Sequence, residues 1–304
     1  MCVFGFLNIN KPPGPTSHDV VATVRRLLRS RGVPRKGPRA VKVGHAGTLD
    51  PFAAGVLVAC VGPATRLASR VQAQPKRYLA EVTLGATSTT DDVQGEISPS
   101  PSEPAQPPSQ EEILGLLPSF VGEIQQAPPA HSAVHVDGRR AYALARQGEQ
   151  VSLPARPVTV YSLELVRYAY PLLSLDVACG SGTYIRALAR DIGAKLGIGG
   201  YCSGLTRTQV GSFGLDEAVA PEAIDLSRDL LSPLVALSGL ARVTVEPVAI
   251  GRLRSGNAIA LDSPAAPGET AVLDEGGRLV ALGTVADDAA TFRPRKVFQA
   301  LGEA

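Results

Sequence analysis

Phe4–Ile9 sets apolar side chains at alternating intervals and predicts a short strand. The rigid turn Asn10-Lys11-Pro12-Pro13-Gly14-Pro15-Thr16-Ser17 follows, with Ser17 standing where a helix N-cap belongs. Val20, Val24, Leu27 and Leu28 then recur at helical spacing, so Ser17–Arg29 is predicted as an amphipathic helix. Phe52–Val61 breaks the rhythm. It is apolar throughout, which fits either a buried strand or a short core helix and is too short to cross a membrane. Polarity alternates again over Tyr78–Leu84, a strand opened by Lys76-Arg77-Tyr78. The polar stretch Gly85–Gly95 reads as a loop in which Asp91-Asp92 forms a turn, and Ile97–Gln110, with five prolines, reads as a linker. A helix is predicted over Glu111–Leu117 and strands over Pro157–Arg167 and Leu172–Cys179. Gly180–Gly197 is a tight turn entering a helix with Ile185, Leu188, Ala189, Ile192 and Leu196 on one face. From about Val243 the runs shorten, and Ala271–Leu273 and Leu279–Val285 flank Glu275-Gly276-Gly277, a hairpin signal.

With 304 residues, 44% of them hydrophobic, the chain suffices for one large domain and a small one, or two ordinary ones. A net charge of +2 would argue against a polyanionic partner if the charge were evenly spread. It is not. Arg25, Arg26, Arg29, Arg31, Arg35, Lys36, Arg39 and Lys42 follow one another with no acid between them. Such a run is often a solvated face, but this one leads toward Asp50 and suits the steering of phosphates. Cys2, Cys60, Cys179 and Cys202 form no CxxC pair and no metal spacing, so buried, reduced thiols are expected. MCVFGFLNIN has neither a basic n-region nor an apolar h-region, and the expectation is a cytoplasmic protein.

The candidate for chemistry is Asp50, in Gly44-His45-Ala46-Gly47-Thr48-Leu49-Asp50-Pro51. Pro51 denies Asp50 the α region and holds it extended at the lip of the apolar run, where an unpaired acid is costly. A second candidate is Leu175–Gly182, LDVACGSG, which looks like the glycine-rich motif of an S-adenosylmethionine methyltransferase or a dinucleotide fold. Three observations weigh against both. The third glycine position holds Ile185, no acid stands roughly twenty residues on, and too few βαβ units remain to complete a doubly wound sheet.

GHAGTLDPFAAGVLVACVGPATRL closely resembles the catalytic signature of the TruB family of tRNA pseudouridine synthases. So do KPPGPTS near the N-terminus, Lys76-Arg77-Tyr78, Gly182-Thr183-Tyr184-Ile185-Arg186 and Leu205-Thr206-Arg207 through Phe213. The resemblance implies an α+β pseudouridine synthase fold with a mixed, mostly antiparallel sheet flanked by helices. It places a catalytic domain at residues 1–242, an RNA-gripping thumb near 125–150, and a small PUA-like β-barrel at 243–304. In the thumb, His131 and His135 stand where the family has Tyr and Lys. By the same resemblance Asp50 is the nucleophile and Arg186 its partner, an arginine that would hold the carboxylate ionised. Tyr78 stacks on the uracil and takes the C5 proton, His45 occupies the gap or stacks on the flipped base, Tyr184 lines the opposite wall, and Leu205 packs beside the base. Lys11 joins the substrate-binding set. The implied reaction isomerises a T-loop uridine of tRNA at position 55 and calls for no cofactor and no metal. The expected partner is the T-stem-loop of tRNA, without a membrane or an obligate protein partner, for a chain working as a monomer. The alternative from another class is a protein that binds and refolds tRNA without chemistry.

Overall fold

The computed structural model describes residues 3–34, 36–37, 40–100, 106–130, 135–136, 139–140 and 153–298, with 135–136 and 139–140 as backbone. Strand β1 (Gly5–Lys11) leads through the proline turn into α1 (Ser17–Ser30). The N-cap is Thr16 rather than Ser17. Thr16 Oγ1 accepts from the Asp19 N–H at 3.1 Å and the Asp19 carboxylate accepts from the Thr16 N–H at 2.9 Å, a reciprocal capping box. Ser17 is buried and engaged elsewhere: its hydroxyl donates to the Leu49 carbonyl at 3.0 Å and accepts from the Leu49 N–H at 2.9 Å. Both residues can cap by type, and a contact 32 positions away decides between them.

Next come β2 (Val43–His45) and β3 (Ala54–Val61), so the apolar run is a strand. Helix α2 (Ala68–Ala73) and β4 (Lys76–Leu84) follow. The expected polar loop and linker contain a small antiparallel hairpin, β5 (Ala86–Ser88) with β6 (Ile97–Pro99). Helix α3 (Gln110–Leu116) and β7 (Gly122–Gln126) precede a two-residue pairing of β8 (His135–Val136) with β9 (Arg139–Arg140). Then come β10 (Arg156–Ala169), β11 (Leu172–Cys179), α4 (Ile185–Lys195), β12 (Gly200–Val210) and β13 (Phe213–Gly214). β12 ends at Val210, and Gly211, whose φ is +54°, opens the turn into β13.

These strands form one sheet in the order β1-β3-β12-β4-β11-β10-β7, with β2 on β3 and β13 on β12. Among the described residues, β3 and β12 pair in parallel and the other ladders of this sheet are antiparallel. The fold is therefore α+β with a mixed, mostly antiparallel sheet. β11, which feeds the glycine turn, lies between two antiparallel neighbours, β4 and β10. That arrangement excludes the doubly wound sheet of a methyltransferase or dinucleotide fold.

Helices α1, α3 and α4 cover one face through Val24, Ile113 and Ile192, packed in one core with Val82 and Leu175 of the sheet. Along β4 the alternation sends Tyr78, Ala80, Val82 and Leu84 into the interior and exposes Arg77 and Leu79. The other face beneath β1 and β3 is closed by α2 and by the C-terminal residues Leu273, Leu282 and Phe298. Coverage on both sides is why Phe52–Val61 shows no period. Helix α4 approaches β12 through Gly193, where a Cβ would lie 2.2 Å from the Gly199 carbonyl carbon.

The chain ends in a second, five-stranded sheet built from β14 (Ala241–Thr244), β15 (Ile259–Ala260), β16 (Gly268–Leu273), β17 (Leu279–Val285) and β18 (Thr291–Val297). With helix α5 (Pro247–Arg254) it has its own core around Leu253, Val272 and Phe292. The first pairing residue is Ala241, two positions before the expected boundary. Lys296 Nζ donates to the Arg66 carbonyl at 2.8 Å, and Phe298 stacks on Phe4 with centroids 5.4 Å apart, tying this sheet to the first.

Candidate active site

The loop before Asp50 is held from below by three buried polar side chains. Arg207 of β12 donates to the carbonyls of Val56 at 2.8 Å, Gly47 at 3.1 Å and Thr48 at 3.2 Å. Ser17 pins Leu49 from the start of α1. Lys11 Nζ donates to the carbonyls of Pro15 at 2.8 Å, Pro12 at 2.9 Å and Pro51 at 3.2 Å. Burial lowers the Lys11 pKa to about 8, against the opposing pull of Asp50. Gly55, at φ +99°, lets β3 meet β12 here, since a Cβ would lie 2.2 Å from the Arg207 carbonyl oxygen.

Arg186, on the first turn of α4, meets both Asp50 oxygens along one edge of its guanidinium. Its Nε lies 2.9 Å from Asp50 Oδ2 and its Nη2 lies 3.3 Å from Asp50 Oδ1. Nη1 binds Asp92 Oδ2 at 3.0 Å and the Thr90 carbonyl at 2.9 Å. One guanidinium thus serves two carboxylates. Burial pushes the Asp50 carboxyl above its usual range; Arg186 pulls it back down and the like charge of Asp92 adds to the rise. The net direction for Asp50 is upward.

A cleft of about 560 Å³ opens over this pair, lined by Asp50, Tyr78, Tyr184, Arg186, Leu205 and Arg207. Its size suits a small organic ligand. β4 supplies Tyr78, whose phenol is pushed up by burial, with Arg207 as the first counterweight. β12 supplies Leu205 opposite Ala80 of β4. Tyr184 closes the other wall with the Arg156 guanidinium 5.4 Å from its ring centroid. Two expected substrate contacts stand behind the cleft lining: Lys11 is fully buried beneath the loop with its donors on carbonyls, and His45 sits half-buried on β2 next to Gly47 and Arg207 of the lining. Burial, Arg207 and His18 lower the His45 pKa, favouring the neutral imidazole.

Asp92 was not singled out by the sequence; it reads there as half of a turn. Its signal was a spacing: the adjacent acids Asp91 and Asp92 answer two arginines one helical turn apart, Arg190 and Arg186. Arg190 Nη1 lies 2.8 Å from Asp91 Oδ2. A larger cavity of about 760 Å³ beside α1 is lined by Arg25, Arg29 and Lys42 and holds no acid or tyrosine among its lining residues. Within the basic run, Arg31 pairs with Asp225 at 2.9 Å and Arg25 donates to the Val43 carbonyl at 2.7 Å. Arg35, Arg39 and His131 lie outside the described residues, as does the His135 side chain.

Residues 35–185 match the family described as TruB family pseudouridylate synthase (N terminal domain). The chain is 38% identical over 299 residues to the tRNA pseudouridine synthase B of Caldanaerobacter subterraneus subsp. tengcongensis, covering 98% of this chain and 100% of that one. It is 42% identical over 303 residues to that of Parasynechococcus marenigrum, covering 98% and 99%. Among solved structures, the crystal structure of a Cbf5-Nop10-Gar1 complex superposes with a TM-score of 0.70 at 25% identity, over 99% of this chain and 86% of that one.

Proposed function

The chain belongs to the TruB family of pseudouridylate synthases and isomerises uridine in tRNA, and from that premise we propose that its target is the T-loop uridine, position 55, with Asp50 as the nucleophile. The observation that carries the assignment is the Asp50 carboxylate held by both its oxygens on one edge of Arg186 at the mouth of a cleft walled by Tyr78, Tyr184 and Leu205. The reaction breaks the N1–C1′ bond, turns the base, forms C5–C1′ and moves one proton from C5, with no net oxidation. It therefore needs a nucleophile, a proton acceptor and a shaped pocket.

Extruding the uridine costs on the order of a few kcal/mol, which stacking on an aromatic face, about 1–3 kcal/mol per base, can offset. Tyr78 supplies that face and takes the C5 proton as its phenolate, a form that Arg207 favours against the burial that raises the phenol. Arg186 favours the ionised form of Asp50 against its burial. Residues 1–242 form the catalytic domain, with the thumb near 125–150. Residues 243–304 act as a PUA-like appendage, a reading supported by the exposed Arg293 and Arg295 on β18. The protein acts as a monomer in the cytoplasm; no helix among the described residues is long and apolar enough to cross a membrane.

The test is an unmodified T-stem-loop RNA incubated without added cofactor with wild type or Asp50→Asn and read by carbodiimide-stop primer extension. A stop at the T-loop uridine with wild type alone is expected. Substantial turnover by Asp50→Asn refutes the nucleophile assignment, and RNA bound but unmodified by wild type favours a tRNA-binding role instead.

A further inference from the structure

Gln126 ends β7 and Arg156 begins β10, and the two are direct partners across that antiparallel ladder. Both reach the same target, the turn that starts α4. Gln126 is 1% exposed; its Oε1 accepts from the Tyr184 N–H at 2.8 Å and its Nε2 donates to the Tyr184 carbonyl at 3.0 Å. The two bonds fix the orientation of the amide, since the flipped form would set donor against donor and acceptor against acceptor. Arg156 Nη2 donates to the Gly182 carbonyl at 3.0 Å, and its guanidinium lies 5.4 Å from the centre of the Tyr184 ring. Further along β10, the Thr159 carbonyl accepts from the Gly180 N–H at 2.8 Å. The turn thus hangs on the β7–β10 edge before the helix begins.

Tyr184 is the N-cap of α4 and makes no capping bond with its own side chain. Its backbone position is therefore set from outside, by Gln126. Arg186 follows two residues later, on the first turn of the helix. Further along, α4 packs through Leu188, Ala189 and Ile192 and is tied by Arg190 to Asp91 at 2.8 Å and to the Ala127 carbonyl at 2.9 Å, and by Lys195 to Ser119 at 2.9 Å. The Gln126 bonds to Tyr184 add directional restraint at the N-terminus, two residues from Arg186.

We propose that Gln126 and Arg156 are positioning residues for the isomerisation, setting the Tyr184 ring against the target base and holding Arg186 in register with Asp50. This rests on the roles given above to Asp50 and Arg186. Misplacement of a reacting group by about 1 Å can cost a factor of about a hundred. Gln126→Leu keeps the bulk and removes both bonds. Gln126→Glu keeps the acceptor for the Tyr184 N–H and faces the Tyr184 carbonyl with a second acceptor. Arg156→Gln removes the charge over the ring.

The experiment measures the single-turnover rate at saturating T-stem-loop RNA across pH, the Kd of the same RNA by filter binding, and thermal melting. Gln126→Leu is expected to lower the saturated rate at least tenfold with Kd changed less than threefold, and to move the acid limb of the profile to higher pH as Arg186 loosens its hold on Asp50. Gln126→Glu and Arg156→Gln should fall between it and wild type, and they carry the test if Gln126→Leu does not fold. Tyr168→Phe, which removes a bond from β10 to the Pro108 carbonyl well away from the turn, should leave the rate unchanged. A saturated rate equal to wild type in folded Gln126 variants, or a loss confined to Kd, overturns the proposal. Asp50→Asn run in parallel separates the two failures: residual turnover there refutes the nucleophile, whatever the Gln126 variants do.

Discussion

Replacing Asp92 with Asn preserves the shape of the side chain and removes its charge. Asp92 is 2% exposed; its Oδ2 lies 3.0 Å from Arg186 Nη1, while its Oδ1 accepts from Thr90 Oγ1 at 2.6 Å and the Gln94 N–H at 2.9 Å. An asparagine cannot satisfy all three donors, because one of its two terminal atoms is itself a donor. If Oδ1 keeps Thr90 and Gln94, the new NH2 group faces Arg186. A charge-assisted hydrogen bond of this kind is worth about 1.5–3 kcal/mol, which would correspond to roughly a 10- to 150-fold loss if all of it were realised in the transition state. Arg186 keeps the Thr90 carbonyl at 2.9 Å and both contacts to Asp50, so the lower part of that span applies, about 10- to 30-fold. The pH profile should change as well. Asp92 raises the Asp50 pKa as a like charge and competes for Arg186, so its neutralisation lets the Asp50 carboxyl fall. The active form is the carboxylate, and the acid limb therefore moves to lower pH. Single-turnover release of tritium from C5-labelled uridine in a T-stem-loop, followed across the acid limb and onto the plateau, reads both effects. A plateau rate equal to wild type, or an acid limb that stays or moves up, would refute the shared-guanidinium account.

Lys11 holds its proton only to about 8 in the folded protein, against 10.5 for a fully solvated lysine. The unfolded chain therefore binds more protons between those values, and stability rises with pH there. From about pH 7 to about pH 9 the gain from Lys11 is about 1.3 kcal/mol, and Lys76, also lowered to about 8 by burial, adds a similar amount. Lys11→Met should flatten the dependence of the urea midpoint by the Lys11 share; an unchanged slope contradicts the assignment. Above about pH 9 the thiols oppose this trend, because burial lifts Cys60 and Cys202 to about 12 and Cys179 to about 11, and the folded chain then holds protons that the unfolded one releases. In the basic run, alanine at the exposed Arg29, Lys36 and Lys42 should reduce the log–log salt slope of RNA binding by roughly 0.9 for each duplex phosphate left without its cation. Arg31→Ala should change it less, because Asp225 already occupies that guanidinium; equal effects would show that the ion pair opens on RNA.

Much of the fold was legible wherever one face of an element is wet. The alternation over Tyr78–Leu84 found β4, Leu172–Cys179 is a strand with the predicted ends, and the helical spacing of Ile185, Leu188, Ala189 and Ile192 found α4. The loop bearing Asp50 and the turn bearing Arg186 stood out as local strings, because the tight backbone they need is written in adjacent glycines and prolines. Where both faces are covered, as over Phe52–Val61, the period vanished and helix and strand could not be told apart.

What only the tertiary structure decided are the partners. Arg186 and Asp92 stand 94 residues apart, Gln126 and Tyr184 58, and Lys11 and Pro51 40. The order β1-β3-β12-β4-β11 brings them together, and that order depends on which strand edges pair. The same cause moved Ser17 from cap to clamp and Lys11 from the cleft to its floor. A side chain's local pattern records the face of the element on which it sits; which polar group it meets there is set by elements folded against it, and in a buried site each donor must find its acceptor among them.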